Sequence, residues 1–294
     1  MPWICFITLA KEFVNMILDK ENFTFFDGAM GTMLQQHLTP GQPPEILNLI
    51  KPDVIIEVHR AYIQAGSDII TANTFGAIET KLKGTGYSVE EVVQAALANA
   101  RQAAGDGPVA LDMGPTGEFI EPLGDLSYEE VYSLYARQIK AALTQKVDLV
   151  LLETFFDLTE AKAAIEAVKN HCSLPVICTF TFQNKGKTLM GKDVQSVATS
   201  LEEWGVDAVG ANCSLGPNEM LPIAESFVAS TKLPILIQPN AGLPKLVNGE
   251  TLYDISPEEF STSIKDMAKL GIKWFGGCCG TTPDFIRAIK ESLT

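Results

Sequence analysis

Residues 148–170 read DLVLLETFFDLTEAKAAIEAVKN. Leu149, Val150, Leu151 and Leu152 form an unbroken apolar run of strand length, the pattern of a strand buried on both faces. Residues 159–170 then carry their apolar side chains at helical spacing, so the stretch reads as one strand followed by one helix. That is the repeating half of a parallel βα architecture.

The alternation continues in both directions. Candidate strands fall at residues 23–27, 68–73, 109–113, 148–153, 176–182, 208–212, 235–238 and 273–276, and helix-like segments include 57–65, 89–104, 127–144, 159–170 and 256–270. Ser127 with Glu130, and Ser256 with Glu259, match capping boxes in which a hydroxyl and a carboxylate satisfy orphan N–H groups at a helix start. Eight such units favour an α/β fold of the closed (β/α)8 TIM-barrel type; a doubly wound open sheet has the same periodicity and stands as the alternative. No Ser-rich or Pro-rich linker divides the chain, so residues 21–294 are expected to form one barrel domain. Residues 1–20 are expected to be an N-terminal extension, with Met16 a second plausible start.

Composition limits the partners. The 294 residues include 36 acidic and 22 basic side chains, a formal charge of −14, with 46% hydrophobic residues. Such a chain is globular, and its charge repels phosphate backbones and anionic lipid, so neither nucleic acid nor a membrane surface is expected as a partner. The densest positive stretch, 185–192, holds only three lysines. The apolar run at 3–10 is too short to span a bilayer and lacks a basic leader. Six cysteines, unevenly placed, do not make a disulfide framework, which points to a reducing, cytoplasmic setting.

In a parallel barrel, chemistry sits where the strands end. Those ends carry Asp27-Gly28-Ala29, Glu153-Thr-Phe, Asn212-Cys213-Ser, Pro239-Asn240-Ala and Gly276-Gly-Cys278-Cys279-Gly. Glycines after strands are ordinary turn residues, but here the same edge also gathers cysteines and carboxylates. Cys5, Cys172 and Cys178 read as packing residues. Cys213, Cys278 and Cys279 do not, because strands six and eight are one strand apart and their thiols can converge. Three thiolates without a fourth protein ligand make an open zinc site; a redox-active disulfide between Cys278 and Cys279 is the other reading. His37, His59 and His171 are expected in solvated or capping roles, no Ser/His/Asp triad is expected, and the glycine loops match neither the dinucleotide fingerprint nor the P-loop.

The segments Asp27-Gly-Ala-Met-Gly-Thr, Thr71-Ala-Asn-Thr-Phe-Gly, Gly114-Pro-Thr-Gly-Glu, Leu152-Glu-Thr-Phe, Gly210-Ala-Asn-Cys-Ser-Leu-Gly-Pro and Gly276-Gly-Cys-Cys-Gly-Thr-Thr-Pro resemble the homocysteine S-methyltransferases. Within that family they most resemble the homocysteine-binding module of cobalamin-dependent methionine synthase, from about residue 23 to the C-terminus. The resemblance implies a (β/α)8 barrel, one zinc held by Cys213, Cys278 and Cys279, and homocysteine as methyl acceptor. It implies that Asp27 and Glu153 hold the amino-acid end of the substrate with main-chain help near Gly28 and Ala29, and that Asn212 and Asn240 support the metal and pocket.

The implied chemistry is coherent. A free thiol with a pKa near 8.5 is mostly protonated at neutral pH, and zinc removes that proton. Three cysteinates already outweigh the dication, so a bound substrate thiolate stays electron-rich and attacks an electrophilic methyl group. The cobalamin motif Asp-x-His-x-x-Gly is absent, and the barrel takes up residues 21–294, leaving none of them for a domain that carries the methyl group. The expected donor is therefore a methyl-corrinoid (methylcobalamin) protein acting in trans. A small onium donor such as S-methylmethionine or betaine, a non-catalytic homocysteine-binding module, and a segment of a longer protein are the alternatives.

Overall fold

The computed structural model describes residues 22–183, 185–243, 245–247 and 250–294; the expected extension at 1–20, with Cys5, lies outside them. Eight parallel strands follow one another in chain order: β1 (Thr24–Phe25), β2 (Ile70–Thr71), β3 (Val109–Met113), β4 (Leu149–Phe155), β5 (Val176–Phe180), β6 (Ala208–Asn212), β7 (Ile235–Gln238) and β10 (Trp274–Phe275). An antiparallel hairpin, β8 (Lys245–Val247) and β9 (Glu250–Leu252), is inserted after β7. The sheet order runs β1-β10-β7-β6-β5-β4-β3-β2, and a parallel bridge from Phe26 to Ile69 joins the two ends. The sheet is a closed ring, which decides for the barrel over the open sheet.

Strand alternation sorts the residues into two layers. Phe26, Ile69, Ala110, Leu149, Leu151, Ile177, Ala208, Leu236 and Trp274 fill the inside of the ring, while the intervening residues pack outward against the helices. Each fully buried aliphatic or aromatic side chain contributes about 1.5–3 kcal/mol relative to exposure. Alanines on β3 and β6 break the run of large residues, and Gly210 marks the tightest point: a Cβ there would lie 1.8 Å from the Leu236 carbonyl oxygen.

The acidic residues entering the even strands clamp the other end of the barrel. Phe25 N–H donates to Asp68, Val109 N–H to Asp148 and Val176 N–H to Asp207, so the aspartate before β2, β4 or β6 holds the first residues of its odd-numbered neighbour. Lys290 and Arg101 offset two of these charges, at 2.9 Å from Asp68 and 2.6 Å from Asp148.

The helices start as their caps dictate. Ser127 and Ser256 complete the expected capping boxes for Tyr128–Ala142 and Pro257–Lys269, and Ser88 with Glu91 does the same for Val89–Ala104. The helix expected at 57–65 starts earlier, at Pro52, because Pro at the first position supplies a fixed φ and has no N–H to lose. The expected strands at 23–27, 68–73 and 273–276 shorten to two residues each, and their C-terminal residues leave the ladder for the rim. β4 instead extends to Phe155, with a register shift between Leu152 and Phe155. Among the described residues no helix is long and apolar enough to cross a membrane.

Gly210→Ala is expected to destabilise the protein by about 3 kcal/mol, because backbone rather than a movable side chain blocks the new methyl. Ser127→Ala, which removes only a cap, should cost about 1 kcal/mol. Urea denaturation of both variants beside the parent checks the ranking.

Candidate metal and substrate site

Above the apolar layers the inward column turns polar. On β3 it passes from Ala110 to Asp112, on β4 from Leu151 to Glu153, on β5 from Ile177 to Thr179, on β6 from Ala208 through Gly210 to Asn212, and on β7 from Leu236 to Gln238. Cys213 follows β6 directly, and Cys278 and Cys279 follow β10. Their sulfurs all lie within 4.8 Å of one another, with Cys213 and Cys279 Sγ 3.9 Å apart. A tetrahedral zinc with Zn–S bonds of about 2.3 Å places its sulfurs about 3.8 Å apart, so the trio fits one ion. No bond joins Cys278 to Cys279.

The spacer between the two ligand loops is β7. Cys213 N–H donates to the Gln238 carbonyl (3.1 Å), Cys278 N–H to that of Pro239 (2.8 Å), and Ala241 N–H to that of Cys279 (2.9 Å). Thr154, Cys213 and Ser214 have φ of 64°, 59° and 61°, a left-handed backbone uncommon outside glycine and asparagine. Asn212 supports the turn at Thr154: its Oδ1 accepts from Thr154 N–H and Thr179 Oγ1, each at 2.8 Å, and its Nδ2 donates to Thr154 Oγ1 at 2.7 Å. The same Nδ2 reaches Cys278 Sγ at 3.9 Å. Ser214 Oγ shares a hydrogen bond with Thr181 Oγ1.

Thr281 ties the last loop to the first. Fully buried, it donates from Oγ1 to the Cys278 carbonyl (2.7 Å) and accepts from Ala29 N–H (3.1 Å). Tyr62 OH reaches the carbonyls of Ala29 and Thr281 at 3.0 and 3.1 Å. Gly28 and Gly277 make room for this latch, since a Cβ at either would fall 2.6 or 2.3 Å from Thr281 Oγ1.

The thiols open into a cavity of about 390 Å³ whose wall also carries Asp27, Glu45, Asp112 and Glu153. Asp27 accepts from Thr71 N–H and Oγ1, both at 2.8 Å, and Glu45 accepts from Gly76 N–H at 2.7 Å. Burial pushes the Asp27 carboxyl up to about 7; burial, then the charges of Asp27 and Cys279, push Glu153 up to about 8. Burial likewise raises Glu45 and, with the neighbouring charge of Glu153, Asp112. The thiols divide their protons unequally. Hydrogen bonds from Cys213 and Cys278 pull Cys279 down to about 3, whereas sharing sulfur contacts with Cys213 and Cys279 holds Cys278 well above the usual thiol range. Only a cation can release the remaining protons together. Tyr253, its phenol raised by burial and by the Cys279 charge, stands against the same sulfur.

The sequence profile of the homocysteine S-methyltransferases matches residues 24–293. The chain belongs to this family. It is 33% identical over 289 residues to the methionine synthases of Mycobacterium leprae and Mycobacterium tuberculosis, covering 91% of this chain but 24% of theirs. The homocysteine methyltransferase MmuM from Escherichia coli shares the fold, with a TM-score of 0.80 at 23% identity for its oxidized form, over 94% of this chain and 97% of that one. Its metallated form gives 0.79 at 20% identity, over 95% and 99%.

Of the residues expected at the site, Cys213, Cys278, Cys279, Asp27, Gly28, Ala29 and Glu153 line the one cavity. Asn212 lies just behind it, bonded to the wall residue Thr154. Asn240 does not line it; its N–H donates to the Leu215 carbonyl and fastens two neighbouring loops. Sequence reading missed Glu45, Asp112, Thr281 and Tyr62, although Asp112 was legible as the polar end of an apolar strand. The expectation for His59 is corrected: its ring is fully buried, has no hydrogen-bond partner among the described residues, and burial lowers its pKa to about 4. It faces inward from a helix packed on the barrel, which position beside Arg60 did not reveal. His171 sits at a helix end with Nδ1 2.7 Å from the Ala167 carbonyl, a capping role as expected.

Thr281→Val should lower stability by about 1–2 kcal/mol by leaving Ala29 N–H unpaired, read as a drop in Tm. Asp27 and Glu153 bind protons more tightly folded than unfolded, so their contribution to stability is full at acid pH and is lost as pH rises toward about 7 and 8. In metal-free protein, Asp27→Asn should therefore flatten the fall in unfolding free energy between about pH 5 and pH 8, measured by urea titration at each pH.

Proposed function

We propose that this chain transfers a methyl group to the thiol of L-homocysteine, giving methionine, at a zinc ion held by Cys213, Cys278 and Cys279. One observation carries the reading: three converging sulfurs and a group of buried carboxylates share a single cavity at the strand ends. A zinc held by Cys213, Cys278 and Cys279 would supply Lewis acidity that keeps the substrate thiol deprotonated at neutral pH. The chain's own residues supply the rest. Asp27 and Glu153 accept the substrate ammonium, and Gly28 offers its N–H to the carboxylate, since Ala29 N–H is committed to Thr281. Asn212 and the Thr281 latch hold the cysteine loops so that the sulfur faces the donor. The substrate sulfur forms the new S–CH3 bond with its own electron pair, and the donor leaves with the pair of the bond that breaks.

The donor we infer is a methyl-corrinoid carried by a separate domain or protein. Two observations support it over a small onium compound. The sequence relatives at 33% identity are methionine synthases. Phe119, Leu123, Leu189 and Leu243, apolar side chains left exposed, stand on the loops after β3, β5 and β7, around the mouth of the barrel, where a macromolecular donor would approach. Homocysteine and this donor are the partners that the reading requires.

Purified protein is expected to hold about one zinc per chain, and Cys213→Ser or Cys278→Ala to lose it, by metal analysis; full retention in both variants overturns the zinc site. Homocysteine incubated with methylcobalamin, S-methylmethionine or betaine should yield methionine with the first, and yield with only an onium compound would replace the corrinoid donor. Zinc-masked thiols that titrate only after chelation separate this chemistry from a redox pair at Cys278 and Cys279.

A further inference from the structure

Asp112 is the carboxylate of the cavity that the rest of the structure leaves unexplained. It is 7% exposed and lines the cavity, yet its Oδ1 is fully buried with no hydrogen-bond partner among the described residues. Its backbone is fixed from both sides by Thr74, whose Oγ1 donates to the Asp112 carbonyl (2.7 Å) and accepts from its N–H (3.1 Å). The backbone that carries this carboxylate is therefore held in place at the cavity wall. Asp112 pairs in register with Leu151, so Glu153 stands one inward step nearer the rim on the adjacent strand. Glu153 likewise makes no hydrogen bond through its carboxylate among the described residues, whereas both oxygens of Asp27 already accept from Thr71. Lys81, the basic side chain whose charge acts on Asp112, forms no ion pair among the described residues and lies over the Phe75 ring, 4.6 Å from its centroid.

A buried carboxylate without a donor is costly, and a fold that keeps one has a donor arriving from outside. The missing donor must be cationic, carry several N–H groups and be small enough to enter beside Glu153, which describes an α-ammonium. We propose that Asp112 is a specificity-determining residue that, with Glu153, receives the substrate's ammonium group and so selects an amino-acid thiol over a plain thiol acid. This rests on the homocysteine reading above and adds a residue to it.

The test is binding of two probes to zinc-loaded protein by calorimetry: L-homocysteine, and 4-sulfanylbutanoate, which is the same molecule without its amino group. Asp112→Asn should weaken L-homocysteine at least about tenfold, change 4-sulfanylbutanoate less than about twofold, and leave zinc content unchanged. It should also raise Tm, because burying this unpartnered acid costs free energy whether it is charged or forced to hold its proton. Asp112→Leu, which keeps the branching at Cγ without polar atoms, should give the same discrimination and the same sign of Tm change. Equal weakening of both probes, unchanged homocysteine binding, or a lowered Tm in both variants overturns the inference, the last by making Asp112 a structural acid. Parent protein that binds no homocysteine would instead overturn the proposed function itself.

Discussion

The pairing of the last barrel strand with the first is the constraint on which the rest depends. β10 and β1 share only two residue pairs, yet this seam sets Gly277 N–H on the Asp27 carbonyl at 3.0 Å and brings the Cys278 loop beside the Asp27 loop. Without it, the thiols after β10 and the carboxylate after β1 would lie at opposite edges of an open sheet. So short a ladder is weak alone, and on the rim side the latch reinforces the joint: Ala29 N–H donates to Thr281 Oγ1 across it, and Tyr62 OH bridges the carbonyls of Ala29 and Thr281. Ring closure and site assembly are thus one event.

Much of this was legible in the chain. Apolar runs such as Leu149 to Leu152 gave the parallel strands, and the capping serines gave the helix starts, because both signals are local in sequence. The rim cysteines were legible once the strands were counted, because position at a strand end places a side chain in a barrel. What escaped depends on neighbours far along the chain. Glu45 reads as a loop acid and is drawn into the cavity by Gly76, and His59 reads as a surface residue of a helix and is covered by packing. Thr281 sat within a quoted motif, but its bond to Ala29 spans 252 positions and leaves no trace in spacing.

The cavity is an electrostatic compromise. Four carboxylates in one buried space disfavour each other's charged forms, and burial raises all four. A fold selected for stability alone would replace them with amides or hydrocarbons. Their retention beside a cluster of thiols that cannot all ionise unaided is the electrostatic pattern that the proposed metal and substrate ammonium would relieve.

The aspartates at the far end of the barrel have a separate meaning. Asp68, Asp148 and Asp207 recur at every second strand, each binding the N–H of the strand before it, so the ring is assembled from two-strand modules rather than single βα units. Among the described residues the fourth module, β7 with β10, shows no such aspartate clamp, and the β8–β9 hairpin is inserted between its strands. It is also the module that supplies two of the three thiols. The aspartate clamps therefore staple three quarters of the barrel, and the fourth quarter carries the closing seam and two of the three clustered thiols.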